Sequence, residues 1–135
     1  MKFLHKKIPA YNLQELLVVL VIIGILILIA MPNFTGVINN AKSIEAQNNL
    51  KAIESFQSSY RFMHRTYAHE LEKIDFIAPK TPEQGGNAYY TYEILNATRT
   101  AFTARATAID DFDGDGIKNV WEINQDKQLI EVTKD

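Results

Sequence analysis

ELLVVLVIIGILILIAMP, residues 15–32, decides how the rest of this chain is read. From Leu16 to Met31 there is no polar side chain, and the one carboxylate, Glu15, stands at the head of the run. A helix that crosses a bilayer core needs about 20 mostly apolar residues, in a range of about 17–25. Residues 13–31 meet that length if Glu15 is tolerated in the first turn. A carboxylate is costly at the edge of hydrocarbon, which makes Glu15 a functional candidate. Two plainer roles stand beside that one. The side chain could reach out to the interface, or it could cap the helix start, where the dipole favours an anion.

The flanks orient the run. The ten residues MKFLHKKIPA before Tyr11 carry Lys2, Lys6 and Lys7 and no acid, while the remainder holds all 16 acids against 11 bases. Basic before and acidic after predicts a single pass with the N-terminus in the cytoplasm and the C-terminal part sent across. A cleaved secretory signal fits less well than a retained anchor. The run is long for such a signal, and Ala30 is the best small-residue cut that follows it. The whole chain has 135 residues, enough for one soluble domain beyond the anchor. With no cysteine, disulfides, thiolate zinc sites and thiol nucleophiles are excluded. No Ser or His stands in a nucleophile setting, so no enzyme is expected. No basic stripe marks a nucleic-acid face.

Read together, KKIPA and YNLQELLVVLVIIGILILIAMP resemble the N-terminus of a type IV prepilin or of a type II secretion pseudopilin. In that family a basic leader ends in a small residue, and an aromatic residue opens the mature chain. A Glu follows four positions later, and a Gly and a Pro lie further along the apolar helix. Ala10, Tyr11, Glu15, Gly24 and Pro32 hold those places here, with Ala for the usual Gly and Tyr for the commoner Phe. The resemblance implies a prepilin peptidase that cuts between Ala10 and Tyr11 and methylates the new amino group of Tyr11. It implies an inner-membrane assembly platform, and a filament of identical or related pilin subunits packed through their apolar helices. Glu15 would then sit in an apolar core and need a cation, for which a neighbour's N-terminus is the natural partner. The stretch between Gly24 and Pro32 would be extensible; the plainer reading is a close-packing point and a kink.

Beyond Pro32 the helical pattern continues over residues 33–67. Phe34, Val37, Ile38, Ala41, Ile44, Leu50, Ile53, Phe56, Tyr60, Met63 and Tyr67 form the apolar face, and Lys42, Glu45, Gln47, Lys51, Glu54 and Gln57 the wet one. His64 and His69 read as wet residues at the helix end. Residues 70–86 form a loop punctuated by Pro79, Pro82, Gly85 and Gly86. Strands are expected at 88–95, 101–108, 120–123 and 129–132. The fold class is therefore α+β: a long N-terminal α-helix, apolar in its first half, packed against an antiparallel sheet of three or four strands. The organisation expected is a leader at 1–10, an apolar helix at 11–32 and a globular domain at 33–135.

DFDGDGIKNVWE, residues 111–122, resembles the DxDxDG…E calcium loop of EF-hands, dockerins and thrombospondin repeats. The resemblance assigns carboxylates to Asp111, Asp113 and Asp115, a carbonyl to Ile117, a direct or water-bridged contact to Asn119 and a bidentate carboxylate to Glu122. Hard oxygens at this spacing suit Ca²⁺. The alternative is a solvated acidic hairpin loop. Taken whole, the chain reads as a structural pilus subunit, held in a bacterial inner membrane before it joins an extracellular filament. A periplasmic pseudopilin and a membrane-anchored calcium module that never polymerises are the competing readings.

Overall fold

A computed structural model describes residues 9–31 and 34–135. Most of the expected leader, and Pro32, lie outside the described residues. The chain forms two compact units, divided between Phe34 and Thr35.

The first unit contains α1, Leu13–Ala30. Its mean hydropathy is 2.9, and it is long and apolar enough to cross a membrane. None of its residues is buried. The single helix expected through residue 67 is instead two. Helix α1 ends at Ala30, and Met31 leaves helical geometry with ψ 74°. The cause is in the sequence, because a proline disfavours the helical region for the residue before it. Helix α2 then runs Phe34–His64.

The second unit packs α2 on a four-stranded antiparallel meander, β1 Tyr90–Ala97, β2 Phe102–Ala108, β3 Val120–Asn124 and β4 Leu129–Thr133, in the order β1-β2-β3-β4. Strict alternation on β2 puts Phe102, Ala104, Ala106 and Ala108 inside. On β1 a bulge at Leu95 shifts the register, since Ile94 faces Ala104 while Asn96 faces Thr103. That extra residue turns Ala97 inward on the same face as Tyr90. Leu50 and Ile53 from α2 fill the space over the small alanines of β2, joined by Tyr67, Ile74 and Phe76 from the connecting segment. Phe76 lies edge-on to Tyr92, with ring centroids 5.9 Å apart, and Tyr67 lies 4.9 Å from Phe102.

The buried face of α2 keeps Leu50 and Ile53 of the expected one and otherwise differs from it. It consists of Ser43, Ala46, Leu50, Ile53, Glu54 and Gln57. Phe34, Val37, Ile38, Ile44, Phe56 and Met63 are exposed instead. Three polar residues sit inside because each has a partner, and Ser43 Oγ donates to the Asn40 carbonyl at 2.8 Å. Ser58 Oγ donates to Glu54 Oε1 at 2.7 Å. Fully buried Gln57 grips the backbone of Ala68 twice: its Nε2 donates to the Ala68 carbonyl at 2.8 Å, and its Oε1 accepts the Ala68 N–H at 2.9 Å. This clamp folds the segment after α2 back along the helix. Arg65, at φ 59°, makes the reversal. Further on, Gly86 allows the chain to pass so close to Lys80 that a Cβ would collide with the Lys80 carbonyl.

Replacing Gln57 by Leu fills the same space but strands the N–H and C=O of Ala68. An unsatisfied buried group costs about 1–3 kcal/mol. Urea unfolding of a fragment beginning at Thr35 should show a loss of about 2–5 kcal/mol for Gln57→Leu. An unchanged midpoint would mean that the clamp contributes nothing.

Candidate functional site

Two places concentrate chemistry. The first is the head of α1. Asn12 is the N-cap, in extended geometry at φ −75° and ψ 155°, and Glu15 is the third helical residue. Glu15 Oε2 accepts the Asn12 N–H at 3.1 Å, the back-reaching half of a capping box. The carboxylate thus has a local partner within its own chain, close to the helix N-terminus that favours an anion. The Ala10–Tyr11 bond lies just ahead of the helix, in exposed backbone without regular structure, and the Tyr11 side chain is 80% exposed. A protease could reach that bond without unwinding a helix. Gly24 lies within α1, where a Cβ would meet nothing within 4 Å. Pro32 is outside the described residues.

The second place is the loop between β2 and β3. One carboxylate oxygen from each of Asp111, Asp113, Asp115 and Asp135 can be chosen so that all four lie within 4.8 Å of one another. The loop is shaped by its own backbone. Asp111 Oδ1 accepts the Gly114 N–H at 2.6 Å, and its Oδ2 accepts the Gly116 N–H at 2.5 Å. Both glycines take left-handed geometry, φ 85° and 89°, which a side chain would strain. Asp113 Oδ1 accepts from Asp115 N–H, and Asp115 Oδ1 from Ile117 N–H. Asp135 reaches back from beyond β4 and receives the N–H groups of Phe112 and Asp113, at 2.7 and 3.2 Å.

The remaining expected ligands are placed elsewhere. Asn119 is buried; its Oδ1 accepts the Tyr90 hydroxyl at 2.8 Å, and its Nδ2 donates to Glu131 and to the Thr133 carbonyl. Burial, with Glu131, Glu45 and Asp135 nearby, raises the Tyr90 pKa and keeps that hydroxyl a donor. Glu122 stands on β3 opposite Arg105, and the two form a cross-strand ion pair at 2.6 Å. The Ile117 side chain is exposed. The structure therefore brings together the three aspartates at alternate positions and adds Asp135, while Asn119 and Glu122 serve the sheet. No local spacing rule reaches Asp135; only its position just beyond β4, the strand that flanks β3, brings it in.

The aspartates differ electrostatically. The Gly116 N–H, with other backbone donors, holds Asp111 below the usual carboxylate range. For Asp113 the Asp115 N–H lowers the pKa, but desolvation and the charges of Asp115, Asp135 and Asp111 together raise it. The signs for stability are opposite. Ionised Asp111 contributes stability above its unfolded pKa, and this is lost as pH falls through its lower folded value. Ionised Asp113 is unfavourable near neutral pH and is relieved by protonation. In chelator at pH 7, Asp111→Asn should therefore lower the melting temperature of the second unit, and Asp113→Asn should leave it unchanged or raise it. The reverse order would contradict this assignment.

A family model described as "Type IV minor pilin ComP, DNA uptake sequence receptor" matches residues 32–116, more than half of the chain. That match covers α2, β1, β2 and the aspartates of the loop, but not Asp135. The type IV major pilin protein PilA of Myxococcus xanthus (strain DK1622) is 38% identical over 87 residues. The aligned segment is 64% of this chain and about 37% of that relative, so the chain spans well under two thirds of the relative's length. The family model spans α2 and the first two strands of the sheet, more than half of the residues, and this chain belongs to the type IV pilin family.

Proposed function

We infer that this chain is a structural subunit of a type IV pilus, anchored by α1 before assembly and held in the filament by the same helix afterwards. The observation that carries the reading is an eighteen-residue apolar helix with no buried residue, in a chain of the pilin family. Such a surface needs a bilayer or other apolar helices around it. Both similarities are to pilins, which favours the pilus over a pseudopilus. A prepilin peptidase cutting at Ala10–Tyr11, methylation of Tyr11 and an inner-membrane platform are the partners and steps this reading calls for. The matched model's description names a DNA uptake sequence. The acidic balance of this chain, 16 acids against 14 bases, does not favour carrying that ligand over.

Glu15 has two roles to be told apart. It caps its own helix, and in a filament core it would pair with the freed amino group of a neighbour. Removing one partner of a buried ion pair costs about 3–5 kcal/mol. Glu15→Gln keeps an acceptor for the Asn12 N–H but removes the charge. If pairing matters, Glu15→Gln and Glu15→Ala both insert in the membrane and both fail to appear in sheared filaments. Normal filaments from Glu15→Gln would leave capping as the residue's role.

Calcium is proposed for the acidic loop. Four converging carboxylates fit a hard cation, and backbone carbonyls and water would complete six to eight oxygens. The ion would relieve the mutual repulsion that raises the Asp113 pKa, and would tie the end of the chain to the loop through Asp135. At a hundredfold excess over Kd, calcium should stabilise the second unit by about 2.7 kcal/mol. Asp113→Ala with Asp115→Ala should abolish that gain, and Glu122→Gln should leave it intact. No rise in melting temperature with calcium would remove the proposal.

A further inference from the structure

The second unit carries opposite charge at its two ends. Strand β1 runs between them. Ala97 pairs with Phe102 at one end, where Arg99 lies in the β1–β2 turn, and Tyr90 pairs with Ala108 at the other, where the acidic loop begins. The eight residues of β1 separate these ends by roughly 25 Å. Helix α2 and the residue that follows it bring Arg61 and Arg65 to the first end. Arg61 Nε donates to the Arg99 carbonyl at 3.0 Å, and its guanidinium lies 5.2 Å from the Tyr67 ring. Ser58, Arg61, Phe62, Arg65 and Tyr67 line a shallow cleft there, and Phe62 beside it is 91% exposed. Among the described residues the one ion pair is Arg105–Glu122. Arg61, Arg65 and Arg99, three of the four arginines in the chain, are thus gathered without a carboxylate partner. The α2 dipole accounts for cations at 61 and 65. It does not account for Arg99, which a different element, the β1–β2 turn, brings against Arg61 through its carbonyl.

Asp110, Asp111, Asp113, Asp115 and Asp135 occupy the opposite end and outnumber the bases beside them, Lys42, Lys118 and Lys134. An interface that joins different patches of identical subunits builds open helical filaments rather than closed dimers. We propose that the arginine end of one subunit docks on the acidic loop of another copy of this chain, so that ion pairs between globular units set their register along the filament. This rests on the filament reading above. A second copy is favoured over a nucleic acid because the complementary charge is present on the chain itself, and because acids outnumber bases overall.

Charge reversal with rescue tests this in cells that make the full-length chain. Arg61 and Asp111 are left alone, because one secures the β1–β2 turn and the other shapes the loop. Arg65→Glu with Arg99→Glu, and separately Asp110→Lys with Asp113→Lys, should each lower sheared filament about tenfold or more at unchanged chain level. The fourfold variant should return filament to within about threefold of the parent. It still lacks the Asp113 carboxylate, so rescue could not come through calcium. Double reversals that assemble like the parent would overturn the proposal, as would a fourfold variant that stays defective. Arg65→Glu with Arg99→Glu giving normal filaments that lose binding to duplex DNA would reassign the patch to nucleic acid and overturn it too. In every arm the parent chain must form filaments; if it does not, the filament reading itself fails first.

Discussion

Everything in this chain depends on how one helix is covered. Beyond Glu15 the eighteen-residue helix α1 presents apolar side chains on every side, and none of its residues is buried. At about 25 cal/mol per Å² of apolar surface, leaving such a helix in water is prohibitive. Two environments satisfy it, a bilayer or a bundle of like helices, and the proposed function uses both in turn. Glu15 links the two. On a lone chain its carboxylate is satisfied by the Asn12 N–H at a helix start near water. In a bundle that local bond does not neutralise the charge, so a cation must arrive with the neighbour. On the proposed filament reading, anchor, assembly signal and register key reside in a single first turn.

The globular unit solves a different problem, how to fold without a disulfide. It relies on a compact core over the alanines of β2, on the Gln57 clamp that draws Ala68 onto α2, and on carboxylates that organise the loop after β2. Asp135 adds a last tie, from the end of the chain to Phe112 and Asp113. These ties are polar and local to the loops, so they fix surface shape as well as stability. On the proposed filament reading, that shape faces the surroundings and the next subunit.

Much of this was legible in the sequence. The apolar run, the head of α1 and all four strands were readable because each depends on local pattern: hydropathy, alternation and turn residues. Strand ends moved by one or two residues, as at β1, where the Leu95 bulge carried pairing on to Ala97. The face of α2 was misjudged for a physical reason. Periodicity rewards large apolar residues, but the sheet beneath α2 accepts Ser43, Ala46 and the clamping Gln57, leaving Phe56 and Ile44 outside. The calcium-like spacing suggested six residues, yet a strand begins at Val120 and commits Glu122 to Arg105. Asp135 lay beyond any local rule, since only sheet topology brings it to Asp113. The arginine cluster was equally hidden, because it joins a helix end to a turn 38 residues away.

The intact mass of this chain, taken from sheared surface material and from membranes, tests the account at its centre. The prediction is a species beginning at Tyr11 and carrying a methyl group, present in the sheared fraction. A chain that still bears MKFLHKKIPA and occurs only in the membrane would contradict it. That result would leave α1 as a simple anchor and the globular unit as a module that does not polymerise.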